Sequence, residues 1–78
     1  MKITIRLFTV LQKYLPPDAR GRATVAVQDG ATVQQALEQL GIPGDIALIL
    51  LVNGRQKKAG DILQDGDELT VFPPIAGG

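Results

Sequence analysis

Seventy-eight residues, 45% of them apolar, make one small domain with enough aliphatic side chains for a modest core, which argues against disorder. The chain has no cysteine and no histidine, so disulfides, the usual zinc sites, thiol nucleophiles and imidazole acid–base chemistry are excluded. Eight basic residues balance eight acidic ones, and zero net charge gives no electrostatic footprint for nucleic acid or an anionic membrane. Near the start, Arg6 stands where a signal peptide would be apolar, and the longest apolar run, Ile46 to Val52, is far too short to span a bilayer. A soluble, unexported protein of the cytoplasm is the expectation.

In chain order, Ile3, Ile5 and Leu7 alternate with Lys2, Thr4 and Arg6, the period of a strand with one buried face. Phe8 falls on the polar side of that alternation, as a second packing surface or as an exposed aromatic. Val10, Leu11, Tyr14 and Leu15 are spaced for a short helical turn that Pro16 and Pro17 stop, and Asp18 to Arg22 reads as a loop. Ala23 to Gln28, apolar at odd positions, is a second strand, closed by the turn dipeptide Asp29-Gly30.

Thr32 with Gln35 three residues on is a capping box, and Val33, Ala36, Leu37 and Leu40 form one apolar stripe behind it. Gly41 stands where a helix ends in a left-handed residue, and Pro43 prevents resumption. The Ile46–Val52 run predicts a strand over about 48–52, and Asn53-Gly54 predicts a tight hairpin into a returning strand over about 55–58. The basic residues Arg55, Lys57 and Lys58 there read as charge blunting an edge strand. In the connector 59–64, Ile62 and Leu63 are candidates to plug the core. Asp65-Gly66 is a further turn, and Glu68 to Phe72 is the last strand, with Leu69 and Val71 on one face and Thr70 and Phe72 on the other. The nearby Asp61, Asp65, Asp67 and Glu68 read as turn-formers and solubilising charge, not as metal ligands.

One helix and four or five strands give a two-layer α+β domain over residues 1–72, with the last strand placed centrally beside the first. Residues 73–78 form a separate tail. Pro73 and Pro74 cannot extend a ladder and favour a stiff extended path, while Gly77 and Gly78 give a slim tip. Fully extended, these six residues reach about 20 Å. The tail is either a frayed end or a device that carries the Gly78 carboxylate through a narrow channel.

Four stretches together resemble the MoaD/ThiS family of ubiquitin-like sulfur carriers. They are Ile3-Thr4-Ile5-Arg6-Leu7-Phe8, Ala31-Thr32-Val33, Leu51-Val52-Asn53-Gly54, and Asp65-Gly66-Asp67-Glu68-Leu69 leading to Phe72-Pro73-Pro74-Ile75-Ala76-Gly77-Gly78. The similarity spans the whole chain, and the Pro-Pro pair resembles MoaD, the small subunit of molybdopterin synthase, more than the thiazole-pathway carriers. The resemblance implies a ubiquitin-like β-grasp fold and a carrier with no catalytic side chains of its own. It implies that an E1-like adenylyltransferase uses ATP to convert the Gly78 carboxylate to an acyl-adenylate, and that sulfur from a persulfide donor then leaves a thiocarboxylate. It further implies insertion of the tail, Pro73, Pro74, Ile75, Ala76, Gly77 and Gly78, into the large catalytic subunit of molybdopterin synthase, with Phe8 and Phe72 facing partners. No bound cofactor, metal, nucleic acid or membrane is implied.

Three alternatives remain at this level. The chain is a carrier for another sulfur pathway (thiazole, cysteine or tungsten-pterin), a ubiquitin-like modifier conjugated to lysines, or a β-grasp binding domain with an inert Gly-Gly.

Overall fold

The alternation at the start of the chain becomes strand β1, Lys2–Leu7, with Ile3, Ile5 and Leu7 buried and Thr4 and Arg6 facing the other way. The computed structural model describes residues 1–42 and 48–73, and Ile46 and Ala47 of the apolar run lie outside them. After β1 come strand β2 (Arg22–Ala26), helix α1 (Val33–Gln39) and strands β3 (Ile49–Val52), β4 (Arg55–Gln56) and β5 (Glu68–Phe72). They build a five-stranded mixed sheet in the order β2-β1-β5-β3-β4. β5 is central, parallel to β1 and antiparallel to β3, as the patterning of the first and last strands predicts. The architecture is the ubiquitin-like β-grasp α+β fold.

Local chemistry explains each boundary. At the helix start, the Gln35 amide donates to Thr32 Oγ1 at 3.2 Å and the Thr32 amide donates to Gln35 Oε1 at 2.9 Å, so the capping box is complete. At its end Gly41 takes φ +85°, the Gly41 amide donates to the Glu38 carbonyl and the Ile42 amide donates to the Leu37 carbonyl. That is a Schellman closure, and it brings Ile42 into the core. Asn53 and Gly54 both have positive φ, 53° and 84°, which is the type I′ turn whose twist matches a hairpin. The Asn53 side chain also donates to Asp67 Oδ1 and accepts from the Glu68 amide, tying this turn to the start of β5.

Helix α1 buries Val33, Ala36 and Leu37 against one sheet face, where Ile3, Ile5, Leu7, Leu50, Val52, Leu69 and Val71 complete the core. The connector before β5 is stitched to the N-terminus of α1. The Val33 and Gln34 amides donate to the carbonyls of Asp61 and Ala59, and the Leu63 amide donates to the Ala31 carbonyl.

Several expectations are corrected. Leu63 plugs the core but Ile62 does not; it is 67% exposed, because the bridge between Thr32 and Ile62 holds extended backbone there and adjacent side chains point to opposite faces. Thr9–Tyr14 is a 3₁₀ turn. Its three-residue repeat puts Val10 and Lys13 on one ridge and Leu11 and Tyr14 on another, so Val10 is 69% exposed while Leu11 is buried. A second 3₁₀ turn, Pro17–Ala19, runs into the predicted Asp18–Arg22 loop and is followed by left-handed Arg20 and Gly21. β4 is only two residues long, at the sheet edge, although the Lys57 amide still donates to the Leu50 carbonyl.

Candidate functional site: the open sheet face beside the end of β5

The sheet face away from α1 carries the second side chain of every strand. Register decides its pattern. Arg6 lies beside Thr70 on β5 and opposite Arg22 on β2, while Ile49 lies opposite Phe72 and Leu51 opposite Thr70. Phe8 keeps extended backbone, φ −117° and ψ 151°, so the alternation of β1 continues through it. Because β1 and β5 run parallel, Phe8 and Phe72 come side by side. Their rings stack with centroids 4.6 Å apart at an interplanar angle of 15°.

Both phenylalanines are partly exposed, as are Ile49 and Leu51. The four make a contiguous aromatic and aliphatic patch where β1 and β5 end. Under the 3₁₀ turn it is Leu11 that is buried, and Phe8 stays partly exposed beside Phe72. Ile49 and Leu51 could not be singled out in the sequence. A continuous apolar run has no period, so which of its residues face outward is decided by pairing with β5.

A charged cluster borders the patch on its β1–β2 side. The Glu68 carboxylate takes Arg6 Nη1 at 3.8 Å through Oε1 and Arg22 Nη2 at 3.6 Å through Oε2. The Arg6 guanidinium also lies 5.3 Å from the Phe8 ring centre, a cation–π contact. These partners are well solvated, so each ion pair is worth about 1 kcal/mol at most. The cluster matters more as a charge pattern, with two guanidinium groups sharing one carboxylate.

Of the acids near the turn before β5, Asp61 and Asp67 close their own turns and Asp65 ties its turn to the start of β1. Asp61 Oδ2 accepts from the Lys58 amide, Asp65 Oδ1 from the Lys2 amide and Asp67 Oδ2 from the Gln64 amide. Among the described residues no cluster of acids has the arrangement of a metal site, and no helix is long and apolar enough to cross a membrane.

Pro73 continues from Phe72 at the end of the central strand and is partly exposed, while Pro74, Ile75, Ala76, Gly77 and Gly78 lie outside the described residues. The chain therefore leaves the sheet from its middle, next to the Phe8–Phe72 stack.

Comparison with known proteins agrees with this fold. A family profile described as Mut7-C ubiquitin matches residues 1–76. Among solved structures, small archaeal modifier protein 1 (SAMP1) of Haloferax volcanii is 28% identical, each chain covering 100% of the other, with a TM-score of 0.76. A putative molybdopterin converting factor subunit 1 of Pyrococcus furiosus is 20% identical over 95% of this chain and 98% of its own, with a TM-score of 0.69. A chain from the complex of subunits 1 and 2 of the molybdopterin-converting factor of Helicobacter pylori is 16% identical over 100% of both chains, with a TM-score of 0.61. At those identities the last two speak for the fold. No curated protein matches the chain. With its profile match over residues 1–76 and its five-stranded sheet under one capped helix, the chain belongs to the Mut7-C ubiquitin family.

Proposed function

We propose that the protein is a sulfur carrier whose Gly78 carboxylate is the cargo site. The observation that carries this reading is the placement of β5: the strand that leads to Pro73 and the glycine tail is the middle of the sheet, and it ends beside a partly exposed apolar patch. A partner gripping Phe8, Phe72, Ile49 and Leu51 would hold the tail's point of departure rigidly while the tail reaches a remote active site.

The chemistry follows from what a carboxylate lacks. Its charge repels nucleophiles, and oxide is a poor leaving group. Attack of a Gly78 carboxylate oxygen on the α-phosphate of ATP, in an E1-like adenylyltransferase, releases pyrophosphate and leaves an acyl-adenylate. Sulfur from a persulfide donor then displaces AMP, and reductive cleavage of the sulfur–sulfur bond by a thiol leaves the thiocarboxylate. Gly77 offers no Cβ to a narrow channel. Delivery of that sulfur to a molybdopterin precursor, with the large subunit of molybdopterin synthase as partner, is the specific role we propose. The Phe-Pro-Pro-x-x-Gly-Gly pattern supports it.

A second reading has its own observation. Whole-chain similarity at 28% identity to a protein named as an archaeal modifier favours conjugation to lysines. Both readings need the same adenylated terminus and part at the next step.

The test is to incubate the intact chain with its cognate adenylyltransferase, ATP and a persulfide donor, and to weigh it. Replacement of one oxygen of Gly78 by sulfur is expected, and deletion of Gly78 abolishes it. Co-purification with a molybdopterin synthase large subunit supports the molybdopterin role, whereas higher-mass adducts that leave Gly-Gly remnants on lysines support the modifier. If a tail-deleted chain sustains cofactor synthesis as well as the intact one, the carrier reading falls.

A further inference from the structure

The chain's single asparagine, Asn53, precedes a glycine in the exposed turn that closes the β3–β4 hairpin. An asparagine carboxamide is open to attack by the amide nitrogen of the next residue, and glycine has no side chain to hinder that approach. A Cβ added at Gly54 would meet nothing within 4 Å, so the turn is open on that side. With Gln64 and Asp67, Asn53 also lines a cleft of about 460 Å³ at the surface, through which water reaches the carboxamide.

The fold holds this asparagine at three points. Its backbone amide donates to the Glu68 carbonyl, its Nδ2 donates to Asp67 Oδ1 and its Oδ1 accepts from the Glu68 amide, each at 2.9 Å. Cyclisation needs Cγ to swing onto the Gly54 nitrogen, which breaks both side-chain bonds. Asp67 is itself fixed, since its Oδ2 accepts from the Gln64 amide and its own amide donates to the Gln64 carbonyl. The clasp requires an asparagine. An aspartate could accept from the Glu68 amide, but it has no hydrogen to give Asp67 and would set a second carboxylate against Asp67 Oδ1.

We propose that Asn53 is a deamidation site held in check by the Asp67–Glu68 clasp, and that its conversion releases the β3–β4 hairpin from the start of β5. The Gly54 amide gives its proton to hydroxide, its nitrogen bonds to Asn53 Cγ, and the Cγ–Nδ2 bond breaks, with Nδ2 leaving as ammonia. Water then opens the cyclic imide at either carbonyl, which gives aspartate or isoaspartate at position 53. Neither product can donate to Asp67. Isoaspartate also routes the backbone through an extra methylene in a tight turn, so the pairs Val52–Arg55 and Leu51–Gln56 lose their register. β4 pairs with β3 alone, so nothing else in the sheet holds it. The site lies at the opposite end of β5 from Phe72, and it does not depend on the sulfur-carrier reading.

The test is to age the ¹⁵N-labelled full chain in mildly alkaline buffer beside the blocked peptide acetyl-Leu-Val-Asn-Gly-Arg-Gln-amide, which carries residues 51–56 without the clasp. Intact mass and peptide mapping read the loss of ammonia and gain of water at Asn53, and NMR amide exchange reads the hairpin. Deamidation should be at least about tenfold slower in the folded chain than in the peptide, since two hydrogen bonds, one of them to a carboxylate, must open first. Asp67→Ala, shown by a melt to be folded, should recover much of that difference. In the fully aged chain the amides of Glu68 and Lys57, which donate to Asn53 Oδ1 and to the Leu50 carbonyl, should exchange faster than in the fresh one. Equal rates in chain and peptide, a folded Asp67→Ala variant no faster than the intact chain, or an aged chain with unchanged exchange at both amides would each overturn the proposal. Should Asp67→Ala not fold, the peptide comparison and the exchange of the aged chain decide it.

Discussion

Removing one ring of the aromatic stack should separate folding from partner binding. Phe8→Ala deletes a half-exposed ring, its 4.6 Å stacking on Phe72 and its contact with the Arg6 guanidinium. A fully buried phenylalanine costs about 3–5 kcal/mol on truncation, so for this partly exposed ring at least about 2 kcal/mol is expected. Of that, about 1 kcal/mol is the ring–ring term and should appear as coupling in a double-mutant cycle with Phe72→Ala. A domain of this size has about 4–12 kcal/mol of stability, so the variant remains folded. Its melting point should fall by roughly 8–16 °C, at 4–8 °C per kcal/mol for a small domain. Binding to the adenylyltransferase should lose at least about 2 kcal/mol, a roughly 30-fold rise in Kd, because an aromatic anchor is gone from the centre of the patch. Thermal melts and calorimetric titration of the two single variants and the double variant measure all three quantities. An unchanged Kd alongside the predicted loss of stability would show that the stack belongs to folding alone, and the docking argument would fail.

Other substitutions test the fold that holds this face in place. Leu63→Ala should cost about 2–5 kcal/mol in denaturant unfolding, whereas Ile62→Ala should stay within about 0.5 kcal/mol, since only the former is buried. Thr32→Ala removes one half of the capping box and should cost about 1 kcal/mol by the same measurement. Gly21→Ala should be far worse than Gly30→Ala, although both positions have positive φ. A Cβ at Gly21 would meet the Leu7 carbonyl at 2.7 Å, while one at Gly30 meets nothing. Thermal melts that place the two alanine variants together would refute that steric argument. Gly77→Val should block sulfur loading without moving the melting point, read by intact mass and by a melt.

Local patterns in the chain determined a good deal. The alternation of β1, the Thr32–Gln35 box, the Asn53-Gly54 turn and the Leu69/Val71 face of β5 each depend on residues a few positions apart, where spacing and backbone preference act directly. The neighbouring positions of Phe8 and Phe72 were legible for the same reason, once the two strands were taken as adjacent. Tertiary structure alone decided which residues of 49–52 face outward, because an unbroken apolar run carries no period and only the register with β5 puts Ile49 and Leu51 beside Phe72. It decided between Ile62 and Leu63 through hydrogen bonds to residues 31–34, and it exposed Val10 because the turn winds with three residues per repeat. The sharing of Glu68 by Arg6 and Arg22 joins residues dozens of positions apart. No local pattern encodes such meetings; the order of strands in the sheet creates them.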